Sequence, residues 1–210
     1  MSVIKRIVQG AAVAAALPVG ATAESYGKYE APSYVVERRL GDVEIRSYAP
    51  HIVAEVTVRG DRRDALSTGF RILAGYIFGG NTTRQSVDMT SPVAQSQKID
   101  MTSPVTQEGV DGLWTVSFMM PSKWTLESLP DPTNEAIRLR QTDDVRQAVV
   151  IFGGRATAAA IEAAEQTLTQ TLSEAGLAGS GPMIYNFYDD PMTLPWNRRN
   201  EVAVALATGT

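Results

Sequence analysis

The chain has 210 residues, a formal net charge of −4, no cysteine and a single histidine. Those counts exclude disulfides, covalent CxxCH haem attachment, iron–sulfur clusters and zinc sites built on Cys and His. An acidic chain without a basic block is also a poor partner for nucleic acid.

The first 23 residues read as a cleavable export signal. Lys5 and Arg6 form a short basic region, residues 7–17 a small apolar run, and Ala21, Thr22 and Ala23 a small-x-small cleavage site. The run is shorter than the ~20 residues of a membrane span. No Arg-Arg pair precedes it, so the general secretory route is expected, with cleavage after Ala23 and a periplasmic or secreted product. No stable membrane insertion is expected after cleavage. The remainder is long enough for one domain, burying about 70% of its unfolded surface.

Residues 24–33 read as a polar tether, and residues 34–207 as the domain. Residues 34–38 read as a strand, and Gly41-Asp42 as a turn into an alternating strand over 43–48. Pro50 breaks it, and the β-branched run 52–58 is a third strand. Asp61 is a candidate N-cap for a helix. Leu66, Phe70, Leu73 and Ile77 share one face of that helix. Ala65, Gly69, Ile72 and Tyr76 widen the stripe on one side, while Arg63, Ser67 and Arg71 lie on the other. The widened shoulder is either more core or a surface for a ligand. Gly79, Gly80 and Asn81 stop the helix.

A local repeat follows. Val87-Asp88-Met89-Thr90-Ser91-Pro92-Val93 recurs as Ile99-Asp100-Met101-Thr102-Ser103-Pro104-Val105. If residues 94–98 form a hairpin loop, Met89 and Met101 share an inner face as diagonal neighbours. Each proline removes a ladder donor, so two proline-ended strands are expected. The methionines serve either as adaptable core or as contacts for an apolar ligand.

Further strands are read over 114–119, 135–140 and 146–152. A second helix is read over 157–175, with Ile161, Ala164, Leu168 and Leu172 on one face and Gly176 at its end. Strands over 182–188 and 201–206, joined by a loop rich in Pro, Asp and Arg, close the chain. Strands, helix, strands occur twice in this order. The expected class is α+β, built from two loosely similar halves.

Several blocks, in order, resemble the SOUL haem-binding family. They are Val43-Glu44-Ile45-Arg46-Ser47-Tyr48 with Pro50, the strand from Ile52, the helix segment from Phe70 to Ile77 with Gly80-Asn81, and the doubled Met-Thr-Ser-Pro-Val. The blocks Trp114 to Pro121, Leu126 to Pro130, Tyr185-Asn186 and Arg199 to Val202 follow. The resemblance implies a distorted antiparallel β-barrel with two helices and pseudo-two-fold halves. It also implies non-covalent binding of haem or a related tetrapyrrole in an open apolar site beside the first helix and a late loop. Carried onto this chain, the implied contacts are Arg63, Phe70, Arg71, Ile72, Tyr76, Met192, Arg198 and Arg199. The histidine proposed as iron ligand in that family falls at Ser47, and a propionate-contacting lysine at Thr193. Serine is no substitute for imidazole, so no metal ligand is assigned. His51 is a weak axial candidate, and Tyr76, Met89 and Met101 are further options.

No GxSxG, HExxH or phosphate-cradling glycine loop is present, so no catalytic residue is named and a binding module is the first reading. Two alternatives stand beside it. One is an exported small-molecule hydrolase or effector-binding module on the same fold, using Asp88 and Asp100 or Asp189 and Asp190; an acid of raised pKa in a cleft would favour it. The other is an envelope interaction protein that has lost haem binding. Oligomeric state is left open.

Overall fold

The computed structural model describes residues 24–83, 96–190 and 192–207. The chain begins with β1 (Glu24–Tyr26), β2 (Tyr29–Ala31), β3 (Tyr34–Leu40), β4 (Val43–Tyr48) and β5 (Ile52–Arg59). Helix α1 (Arg62–Ile77) follows, then β6 (Asn81–Thr82), β7 (Val105–Val110), β8 (Leu113–Met119) and β9 (Asp131–Pro132). The second half carries β10 (Arg138–Gln141), β11 (Val145–Gly153), α2 (Ala158–Glu174), β12 (Gly179–Phe187) and β13 (Arg199–Leu206).

Nine strands form one antiparallel sheet in the order β10-β5-β8-β7-β12-β13-β11-β4-β3. Within that order the two halves mirror each other about the β7–β12 pair. β5, β7 and β8 with α1 correspond to β11, β12 and β13 with α2. Each half also lends a strand to the other, since β4 pairs with β11 and β10 with β5. The fold is therefore the expected α+β duplication. Its sheet curls as a distorted barrel but stays open, because the edge strands β10 and β3 do not pair.

Both helices pack on one face of the sheet. Successive strand residues point to opposite faces. Ala54, Val56, Val116 and Phe118 therefore meet Leu73, Tyr76 and Ile77 of α1. Ala148, Val150, Val202 and Val204 meet Ile161, Leu168 and Leu172 of α2 in the same way. Thr157 caps α2 by accepting from the Ala160 N–H. Asp61 is the N-cap of α1 as expected, extended and accepting the Ala65 N–H on its carbonyl at 2.8 Å, although its side chain makes no capping bond. At the far end the Asn81 amide donates to the Tyr76 carbonyl, one of the orphan acceptors that every helix C-terminus leaves.

Gly69 sets how close α1 lies to the sheet. A Cβ there would stand 2.6 Å from both Cβ and Cγ2 of Val116 in β8. Its absence lets the face carrying Ala65, Gly69, Leu73 and Tyr76 settle onto the strand, and all four are buried. The widened shoulder is therefore core.

The opposite face of the sheet is polar at one end. Arg46, fully buried, donates to Glu44 at 2.6 and 2.8 Å, to the Tyr48 hydroxyl at 2.9 Å and to Glu201 at 3.0 Å. Arg199 donates to Glu201 as well, and the Tyr34 ring lies 4.2 Å from the Arg46 guanidinium carbon. Two buried carboxylates and two guanidiniums thus satisfy one another, as burial of charge requires.

Two sequence expectations are corrected. Residues 24–31 are not a tether but a hairpin of β1 and β2, whose Tyr26 hydroxyl donates to Asp189 at 3.0 Å. The second copy of the heptapeptide is not a strand before Val105. Its Thr102 hydroxyl donates to the Met119 carbonyl and its Ser103 hydroxyl to the Tyr188 carbonyl, while the Ser103 N–H bonds Glu30. Side chains take the place of ladder bonds just before Pro104, which has no N–H to offer. The first copy, with Asp88 and Met89, lies outside the described residues.

Candidate functional site

Pressing one face of α1 onto β8 lifts the next face toward an apolar cavity of about 430 Å³. This size lies within the roughly 300–1,000 Å³ of small-molecule sites. Leu66, Ser67, Phe70 and Arg71 of α1 form one wall. Met101 and Val105 supply the base, Tyr29 of the hairpin one side, and Phe187, Tyr188, Asp189 and Asp190 the other. Phe70 is 37% exposed and packs edge-on against Phe118, with centroids 5.4 Å apart. A large aromatic residue this open on a helix gains by being covered, about 25 cal/mol for each Å² removed from water.

The charges at the rim are unlike. Arg71 is exposed and, among the described residues, makes only long bonds within its helix, 3.3 Å to the Thr68 hydroxyl and 3.4 Å to the Ser67 carbonyl. Its guanidinium is available to an anion. Asp189 and Asp190 stand across the cavity, each with one carboxylate oxygen engaged by two donors. Asp189 takes the Arg199 N–H at 2.7 Å as well as Tyr26, and Asp190 takes the N–H groups of Met192 and Thr193. Asp189 and Asp190 therefore build the loop. Asp100 forms an exposed ion pair with Lys123 at 2.6 Å.

Of the residues inferred from sequence, the cavity gathers Phe70 and Arg71. Ile72 is half-buried against the core beneath α1. Tyr76 is 1% exposed and donates to the Pro130 carbonyl at 2.9 Å, so it is a core residue. Arg63 is exposed on α1 but is not a lining residue. Met192 is 89% exposed and also lies outside the lining. Arg198 donates to the Thr193 carbonyl, and Arg199 belongs to the buried ion network behind the loop. Tyr29 and Phe187 were missed. Tyr29 sits in a stretch read as tether, and the end of β12 gave no sign of which face Phe187 takes.

His51 lies elsewhere. It borders two other cavities, and its Nδ1 is 3.0 Å from the Ala49 carbonyl. Burial pushes its pKa down. Ser47 pairs with Arg146 and Val35 in the sheet and does not line the α1 cavity either. The apolar walls suit an apolar body, and the Arg71 guanidinium at the rim suits a carboxylate. The lining holds no imidazole; the Met101 thioether and the Tyr29 phenol are its side chains of a kind that can ligate haem iron.

The model of the family described as SOUL heme-binding protein matches residues 29–205. A search of the curated proteins returns no match. Among solved structures, a hydrolase from Listeria innocua is similar at TM-score 0.53 and 15% identity, covering 81% of this chain and 94% of that one. The C-terminal domain of EcmrR is similar at TM-score 0.55 and 12% identity, covering 81% of this chain and all of that one. At such identities these likenesses establish the shared fold alone.

Proposed function

The chain belongs to the SOUL haem-binding protein family, and on that premise we propose that it binds haem or a related tetrapyrrole, non-covalently, in the cavity beside α1. The observation that carries the reading is the apolar wall of Leu66, Phe70, Met101, Val105 and Phe187 with the exposed guanidinium of Arg71 at its rim. A flat apolar molecule with carboxylates at one edge matches that distribution. Asp189 and Asp190 repel carboxylates from the opposite rim, so the propionates point toward Arg71 and solvent. The protein acts as a carrier or sensor of its ligand and not as an enzyme on this reading. The apolar walls would hold the ring by its faces, and Met101 or Tyr29 would be the side chains in reach of a ligand role. Export with cleavage after Ala23 would place this activity in the periplasm or the medium.

Titration of the purified protein with haemin, followed at the Soret band, tests the proposal. A saturable shift at micromolar haemin is expected. Arg71→Ala should weaken binding about two- to fivefold, the worth of one exposed charge contact, and Arg63→Ala should leave it unchanged. Absence of a saturable shift would sink the reading.

A further inference from the structure

The face of the sheet turned away from both helices carries a second cavity, of about 420 Å³. It spans the sheet from β10 through β5, β8, β7, β12, β13 and β11 to β4, so residues of eight strands contribute to it. Val53, Met119 and Ile184 give it an apolar floor. Its charged lining is unequal. Glu108, Asp143 and Asp144 face one guanidinium, Arg140. Arg140 is already paired with Glu55, at 2.8 Å.

Glu108 is the unusual member. It is half-buried in β7, and no hydrogen bond or ion pair to its carboxylate occurs among the described residues. A carboxylate taken partly out of water without a partner is costly. Burial pushes its pKa up, and the nearby Arg140 charge, already shared with Glu55, offsets this only in part. The Arg46 network beside the cavity cannot supply a counter-ion. Its two guanidiniums are matched by Glu44 and Glu201.

Two aromatic rings border the same space, Tyr48 and Tyr188. Their hydroxyls are engaged, Tyr48 accepting from Arg46 and Tyr188 donating to Glu201 at 3.0 Å. What they offer a ligand is the ring surface left at the cavity wall, since Tyr188 already has the Arg199 guanidinium carbon 4.5 Å from its centroid; aromatic rings attract cations, quaternary ammonium groups above all. An anion would meet three carboxylates and a guanidinium already in use. An uncharged ligand would leave Glu108 unpaired.

We propose that this cavity is a second binding site, for a small organic cation with an apolar or aromatic group, with Glu108 as its counter-ion. The cation's charge lies against Glu108 and the tyrosine rings, and its apolar group rests on Val53, Met119 and Ile184. Asp143 and Asp144 raise the local concentration of cations at the mouth. The site is separate from the cavity beside α1, and its existence does not depend on tetrapyrrole binding there.

Isothermal titration of the purified protein with benzyltrimethylammonium and benzyltriethylammonium tests the proposal, with benzyl alcohol and benzenesulfonate as the uncharged and anionic comparisons. At least one cation should bind saturably, roughly tenfold or more tighter than benzyl alcohol, with no uptake of benzenesulfonate. Glu108→Gln should weaken that binding about tenfold while leaving the haemin titration unchanged. The double variant Asp143→Asn with Asp144→Asn should weaken it by about two- to fivefold. It carries the test if circular dichroism shows Glu108→Gln to be misfolded. No saturable binding of either cation up to millimolar concentration overturns the proposal. So does equal binding of benzyl alcohol, or full affinity in a folded Glu108→Gln protein.

Discussion

Replacing Gly69 by alanine separates two effects of opposite sign. Helix propensity alone favours alanine by about 1 kcal/mol in a helix interior. The packing opposes it. The new Cβ would lie 2.6 Å from Cβ and Cγ2 of Val116, against the ~3.5–4.0 Å at which carbon atoms rest. Val116 Cβ is fixed to the strand and cannot rotate away, so α1 must rise by about 1 Å. Overpacking of this kind costs about 1–3 kcal/mol. The net loss is therefore about 1 kcal/mol, or roughly 2–4 °C in melting temperature for a chain of this size. Because Leu66 and Phe70 ride on the same helix, haemin affinity should fall with it. Thermal unfolding by circular dichroism decides the sign. Adding Val116→Ala, which removes the Cγ2 contact, should recover at least 0.5 kcal/mol in a double-mutant cycle. A Gly69→Ala protein that melts higher than the parent would refute the reasoning, because propensity would then have won and the helix would not be seated by this contact.

Three other outcomes are expected. Arg46→Met removes the central cation of the buried network; losing one buried partner costs about 3–5 kcal/mol, and the lower end applies because Glu44 keeps Arg39 and Glu201 keeps Arg199. Its urea midpoint should drop by about 1–2 M, and a drop under about 0.3 M would show the network to be neutral for stability. His51→Ala should leave the haemin spectrum nearly unchanged, because His51 borders other cavities; loss of a six-coordinate signal would place the imidazole on the iron. Burial, then the 2.8 Å bond to Glu165, push Tyr185 up to about 12 from an ordinary 10. A raised folded-state pKa means the unfolded chain releases its proton first. The stability from Tyr185 is thus whole below pH 10 and is lost as pH climbs through about 12, a dependence that Tyr185→Phe should flatten in unfolding curves taken from pH 9 to 12.

The elements were legible in the sequence because their periodicities are local. Alternation gives β4 and β5 directly, and the 3.6-residue repeat gives both helices with Thr157 and Gly176 near the ends of α2. What periodicity cannot give is depth. Leu66 and Phe70 looked like the centre of the buried stripe of α1, yet they line the open cavity. The centre of burial moves one column over because Gly69 is the residue with no Cβ to hold α1 off Val116. The hairpin over residues 24–31 was missed for a related reason. Its polar composition is that of a linker, and its order comes from distant partners, Tyr26 with Asp189 and Tyr188, Glu30 with Thr102.

The same logic limits what a resemblance can say of single residues. Position 47 lies in β4, whose neighbours are β11 and β3. The α1 cavity takes its sheet residues from β7 and β12, on the other side of β13 and β11 from that strand. An imidazole lost at position 47 therefore removes nothing from the cavity walls. The repeated motif bears on the site differently. Its second copy brings Met101 to the cavity and, two residues later, ties Ser103 to Tyr188. Tyr188 borders both cavities. The segment that first marks the family thus braces the wall between the two cavities, and the side chains that would choose each ligand, Arg71 on one face of the sheet and Glu108 on the other, come from neighbouring elements.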